Sequence, residues 1–350
     1  MSGRPIRVGI IGAGGIATGA HIPGYQALGD QVELVAVADV DGERARRVAA
    51  EFGFARSYTD YHEMLAQETL DAVSVCTPNK FHAPATIAAL RAGCHVLCEK
   101  PPATTVLEAQ AMREAAAAAG RILTFGFHMR FKSEAQAAYR FVAAGELGEI
   151  YAGRVTAMRR RGIPSWGVFT NKALQGGGPL VDIGVHVLDL ALWLMDYPQP
   201  ETVLGATFQK LGTRPGVAPW GPWDWQHYEV EDMAHAMIRF ANGASLLLET
   251  SFAANIEPMD EMNVRLQGTE GGLTLQPLRI HREAHETLVD VTPAWLPTVK
   301  PHHAEVAHFV RCIRGEAQPL STPDQAVALQ QIVDAIYQSA ETRTPIRLVA

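Results

Sequence analysis

The chain has 350 residues, 47% of them hydrophobic and 19% charged; this composition supports packed cores and excludes disordered and collagen-like classes, and the length implies two domains. A formal net charge of −7 argues against a nucleic-acid binder, which would present a basic face to phosphates. No stretch reaches the roughly 18 to 20 uninterrupted apolar residues of a membrane span, no charged leader with a cleavage site opens the chain, and four irregularly spaced cysteines make no disulfide framework, so the reducing cytoplasm is the expected compartment.

In chain order, Arg4 to Ile11 reads as a strand ending in glycines, Val32 to Ala38 as a second strand ending at Asp39, and an Ala/Gly/Leu segment between them as a helix. A helix over Glu43 to Phe52, a strand over Ala72 to Cys76, a helix over Phe81 to Ala92, a strand over His95 to Cys98, a helix over Thr104 to Ala119 and a strand over Ile122 to Phe125 follow. Strands alternating with crossover helices predict a doubly wound parallel sheet over residues 1–128. From Met129 the pattern changes to longer alternating strands: Ile150 to Met158, Thr202 to Leu211, Met233 to Phe240, Ala244 to Ala253 and Asn263 to Gln267, with Asn242 and Gly243 as a hairpin signal. Residues 129–350 are therefore expected to form an α+β domain with a large, open, mainly antiparallel sheet, closed by a helix from Pro323 to Thr342.

Gly12, Gly14 and Gly15, with Ile16 and Ala17 behind them, give G-x-G-x-x-A directly after the first strand. That is the spacing of a dinucleotide-binding turn: the first glycine permits the turn, the second lets backbone approach a pyrophosphate, and the small residue lets helix and strand pack. Asp39, at the end of the second strand, is placed to accept the adenosine ribose hydroxyls and to repel a 2′-phosphate, which favours NAD over NADP. Arg44, Arg46 and Arg47 are expected on a solvated helix face. The first domain thus reads as a Rossmann domain. Thr77, Pro78, Asn79 and His82 follow the Ala72 to Cys76 strand, at the carboxyl edge where such sheets bind ligands, and read as cofactor contacts. Cys94 and Cys98 lack a second ligand pair, so no metal is expected.

Taken together with Glu99, Lys100 and Pro101, and with Gly176, Gly177 and Gly178 followed by Asp182, Gly184 and His186, these motifs resemble the glucose–fructose oxidoreductase, inositol dehydrogenase and rhizopine-catabolism family over nearly the whole chain. The resemblance implies a nicotinamide-dependent sugar or cyclitol dehydrogenase in which Lys100, Asp182 and His186 surround the reacting carbon and Glu99 lies by the nicotinamide ribose. The chemistry agrees: hydride leaves a carbinol only as its proton departs, so a base is needed, and His186 has the suitable range. Lys100 would stabilise the developing alkoxide. Asp182, four residues before His186, would share its helix face and either orient the ring or contact a neighbouring hydroxyl.

Substrate contacts are expected from Arg130, from Arg159 and Arg161, which could hold an anionic group, and from aromatics that suit sugar faces: Trp166, Trp220, Trp223, Trp225 and Tyr228, with His227 or Glu229 on hydroxyls. His302, His303 and His308 read as packing residues ahead of a helix. Two rival functions stand beside the dehydrogenase: a glycosidase that retains NAD and cleaves by transient oxidation and elimination, and a non-catalytic dinucleotide sensor. The expected substrate is a sugar, glycoside or cyclitol. Because helices suffice for only one face of the second sheet, a homodimer or homotetramer is expected.

Overall fold

A computed structural model describes residues 3–348. The chain divides into two compact units, Met1–Phe131 with Val299–Val327, and Lys132–Thr298 with Ala328–Ala350. The first passage between units falls close to the expected boundary at residue 128. The return of the 299–327 segment to the first unit was not foreseen, because nothing in its local pattern differs from that of a second-domain helix.

In the first unit, β1 (Ile6–Ile11), β2 (Val32–Ala38), β3 (Arg56–Tyr58), β4 (Ala72–Val75), β5 (His95–Cys98) and β6 (Leu123–Phe125) form a wholly parallel sheet in the order β3-β2-β1-β4-β5-β6. Both faces are covered, so the central strands are apolar at nearly every position, with Val8, Ile10, Val37, Ala72, Val96 and Leu97 fully enclosed. Helix ends carry the residues that should stop them. Asp41 accepts from the amides of Glu43 and Arg44, Thr105 from that of Glu108, and Gly53 and Gly120 close their helices in the left-handed conformation. The helix Pro301–Ile313 completes this core: Val306, Phe309 and Val310 join Ile6, Val8, Ile10, Ile22 and Tyr25 in one cluster. His302, His303 and His308 lie inside that helix rather than ahead of it, and His302 stacks on His128 at 3.9 Å.

The second unit is a mixed sheet of β7 (Ile150–Arg159), β8 (Pro200–Phe208), β9 (Met233–Phe240), β10 (Ser245–Ser251), β11 (Asp260–Gly268), β12 (Gly272–Thr274), β13 (Arg279–Ala284), β14 (Thr287–Val291) and β15 (Ile346–Arg347), in the order β14-β13-β12-β11-β7-β10-β9-β8-β15. Only β7 and β10 run parallel; the other neighbours are antiparallel. Asn242 caps the β9–β10 turn by accepting from Ala244, and Gly243 takes φ +90 there. Helical segments pack on one face: a Cβ on Gly184 would touch Thr250, and one on Gly205 would stand 2.6 Å from the Ile336 carbonyl. On the opposite face Leu204, Met237 and Leu247 lie in one cross-strand row, each exposed by more than two-fifths. The segment Lys172–Leu194 is apolar enough by composition to cross a membrane, but 94% of its apolar window is buried in the protein, as befits a core helix.

Candidate active site

The first unit presents its candidate residues at the carboxyl ends of its strands. Gly12 sits at φ +93, and a Cβ there would stand 2.6 Å from the Cys76 carbonyl, so β1 and β4 can approach only with glycine at this turn. Gly14 and Gly15 have nothing within 4 Å of such a Cβ, and Ile16 is 37% exposed, leaving open backbone where the first helix begins. That helix starts as a widened π turn over Ala17–His21. Asp39 ties the turn together: it accepts from the Ala13 amide at 2.8 Å, the Asp41 amide at 2.9 Å and the Arg44 guanidinium at 2.8 Å. Burial works to raise the Asp39 carboxyl, but Arg44 and the two amides hold it below the ordinary carboxylate range. Arg44 is therefore paired with Asp39, not left on a solvated helix face.

At the ends of β4 and β5, Asn79 is nearly buried, whereas Thr77, Pro78 and Lys100 are partly accessible. His82, expected at the cofactor, is wholly enclosed. Its ring nitrogens meet the carbonyls of Pro101 at 2.7 Å and Thr77 at 2.9 Å, so it braces two loops. The Lys100–Pro101 bond is cis. Glu99 is 6% exposed; His21 approaches one of its oxygens at 2.8 Å and the Lys100 amide donates to the other at 3.2 Å. Open glycine backbone at a helix start, a carboxylate at the end of β2 and a polar carboxyl edge on the nicotinamide side fit a dinucleotide.

In the second unit, Asp182 and His186 stand at the start of a long buried helix. Leu180–Gly184 forms a π turn, closed by the Val185 amide bonding to the Leu180 carbonyl, before the α-helix Val185–Leu194. Asp182 lies within the π turn and His186 in the first turn of the α-helix that follows it. The glycine run ahead of it is explained by close approach. A Cβ on Gly177 would fall 1.9 Å from the Tyr337 hydroxyl, and one on Gly178 2.2 Å from the Glu231 carbonyl. Glu231 then accepts from the amides of Gly178 at 2.9 Å and Leu180 at 3.2 Å and from the Tyr337 hydroxyl at 2.9 Å, fixing the helix start. Burial pushes the Glu231 carboxyl up, against these donors.

Comparison with known proteins agrees with both halves. The family profile described as an oxidoreductase family with an NAD-binding Rossmann fold matches residues 6–127, and its C-terminal alpha/beta domain matches residues 140–348. The chain belongs to the Gfo/Idh/MocA oxidoreductase family. It is 42% identical over 348 residues, 99% of each chain, to D-glucoside 3-dehydrogenase of Escherichia coli K12. It is 31% identical over 296 residues, 77% of this chain and 73% of the other, to levoglucosan dehydrogenase of Pseudarthrobacter phenanthrenivorans. A solved levoglucosan dehydrogenase in complex with NADH and levoglucosan superposes with a TM-score of 0.84 at 25% identity, covering 99% of this chain and 100% of that one.

Like those relatives, this Gfo/Idh/MocA chain is an oxidoreductase, and several of its expected sugar contacts prove to be structural. Arg130 is wholly buried, its guanidinium bonded to the Leu320 carbonyl and the Gln325 side chain. Tyr228 is enclosed over Gly212 with its hydroxyl donating to the Glu231 carbonyl, and Trp223 donates to the Gly212 carbonyl at 2.7 Å. Both anchor the 209–232 loop, which Asp232 gathers through the amides of Lys210, Leu211 and Gly212 and which cuts β8 short at Phe208 instead of Leu211. Arg161 is held by Ala254 and Asn255. Trp166, Trp220 and Trp225 remain exposed, with Trp166 and Trp220 5.5 Å apart and Arg159 4.9 Å over the Trp220 ring. His21, Glu231 and Tyr337 went unforeseen, since each takes its meaning from a partner more than seventy positions away.

Proposed function

We propose that this chain is an NAD-dependent dehydrogenase that oxidises a secondary hydroxyl of a glucoside, with the hydroxyl on carbon 3 the leading target. The observation that carries this reading is the 42% identity, end to end in both chains, to D-glucoside 3-dehydrogenase. Bound nicotinamide supplies the hydride acceptor. His186 takes the hydroxyl proton, Asp182 orients the imidazole or holds a neighbouring hydroxyl, and the Lys100 ammonium steadies the oxygen as its charge develops. The exposed tryptophans around Arg159 offer stacking faces to the pyranose or its aglycone. With Arg161 held by its own loop and Arg159 on Trp220, a neutral glycoside suits the second unit better than an anionic one.

The second unit also supports a homo-oligomer. The Leu204, Met237 and Leu247 row is covered by a second copy in a closed symmetric pairing.

Incubating the protein with NAD and a panel of glucosides, free sugars and cyclitols tests the activity, with reduced cofactor followed by its absorbance and products identified by NMR. Formation of a keto-glucoside with matching reduced cofactor is expected. Lys100→Ala and His186→Ala should each lower turnover about 10²- to 10⁴-fold with NAD binding retained. Release of free aglycone without net reduction of NAD would instead identify an elimination glycosidase, and normal turnover in either variant would remove that residue from the mechanism.

A further inference from the structure

Glu99 is a buried anion at the carboxyl end of β5, adjacent in sequence to Lys100. A Cβ on Gly126 would stand 2.8 Å from one of its oxygens, so the carboxylate fits only against glycine. Behind it lies a closed chain of polar groups. His21, 0% exposed, places one ring nitrogen 2.8 Å from Glu99 and the other 3.0 Å from the Ser74 hydroxyl, which in turn lies 2.8 Å from the buried Tyr25 hydroxyl. One arrangement satisfies every link: Tyr25 donates to Ser74, Ser74 donates to Nδ1 of His21, and Nε2–H of His21 donates to Glu99. The whole chain then points its donors at the carboxylate. Burial works to raise the Glu99 carboxyl, yet the His21 bond, with Lys100 and His128 behind it, holds it below the ordinary carboxylate range.

Desolvating a charge is costly, and an apolar pair of similar size would be as stable or more so. A buried anion at the ligand edge of the sheet points instead to an electrostatic task. In a doubly wound sheet of this order the pyrophosphate lies at the helix after β1 and the adenosine half over β2, which leaves the nicotinamide half to the β4 and β5 side, where Glu99 stands. The oxidised ring is a cation and the reduced ring is neutral, so a fixed anion nearby discriminates between them.

We propose that His21 is a positioning residue that locks Glu99 as a counter-charge, so that the first unit binds oxidised nicotinamide dinucleotide in preference to reduced. The proposal rests on the dinucleotide reading of this unit. It is tested by calorimetric titration of NAD+ and NADH separately into the intact protein and into Glu99→Gln, His21→Leu and His21→Gln. The ratio of the two Kd values should shift toward NADH by about tenfold in Glu99→Gln and His21→Leu. In His21→Gln, whose amide can still donate to the carboxylate, it should return toward the parent value. A merely structural role would weaken both forms alike and leave the ratio unmoved. An unchanged ratio in Glu99→Gln overturns the proposal while the dinucleotide reading stands, and decides the matter even if His21→Leu fails to fold. Binding of neither form by the parent protein refutes both.

Discussion

Asp39 shows how one side chain can carry two instructions. Its two oxygens offer about four acceptor positions, and three are occupied by Ala13, Asp41 and Arg44, which leaves one for a ribose hydroxyl unless Arg44 moves aside. The parent protein should bind NAD more tightly than NADP, because a 2′-phosphate would meet this carboxylate. Asp39→Ala removes that repulsion and releases the Arg44 guanidinium, a natural phosphate partner. NADP affinity should rise in the variant as NAD affinity falls, and a further Arg44→Ala should cancel the gain. Titration of both cofactors reads this directly; an Asp39→Ala variant that gains nothing for NADP would refute it.

At the scale of elements, the turn that delivers Asp182 depends on two glycines with different obstacles. Gly177 faces a side-chain hydroxyl and Gly178 a backbone carbonyl. Gly177→Ala should cost about 1–3 kcal/mol through overpacking, seen as a lowered melting temperature with reduced turnover, and Tyr337→Phe in the same chain should recover part of the loss. Gly178→Ala should be at least as damaging and should not respond to Tyr337→Phe, because no side chain can be trimmed to make room. Equal behaviour of the two pairs in thermal melts would show that the obstacles are not what fixes this turn. The same contrast explains what could be read in advance. The Gly12 turn, the β–α alternation and the Asn242-Gly243 hairpin are local signals, legible because the residues that need each other are neighbours. β3 (Arg-Ser-Tyr) and β13 (Arg279–Ala284) are dominated by polar residues, β12 is three residues opened by glycine, and β14 is largely exposed at the sheet edge, so none shows the apolar run that marks the equally short β4, β5 and β6. The Glu231 and Tyr337 cradle joins residues 106 positions apart. Aromatic content in the 220–228 loop announced a binding surface, yet half of it holds the loop shut, since Trp223 and Tyr228 are enclosed while Trp220 and Trp225 are not.

For the whole molecule, the open sheet face is where the proposed assembly can be tested. Leu204, Met237 and Leu247 form its apolar centre, with the Arg154–Glu249 ion pair beside Leu247. Light scattering at micromolar concentration should give a multiple of 37.9 kDa, and Met237→Glu with Leu247→Arg should shift it to the single-chain mass while each unit keeps its fold. A parent protein at 37.9 kDa would overturn the dimer. The return of Val299–Val327 to the first unit has a further consequence, for synthesis. Val306, Phe309 and Val310 belong to the first unit's core, so a nascent chain that has emerged only as far as Phe131 carries a nucleotide-binding half whose apolar flank is bare. At about 5–20 residues per second, that flank waits on the order of ten to forty seconds for its closing helix. During this interval the half-built unit exposes apolar surface of the kind chaperones bind, and the usual rule that an N-terminal domain finishes first on the ribosome is reversed: here it is completed by nearly the last helix made.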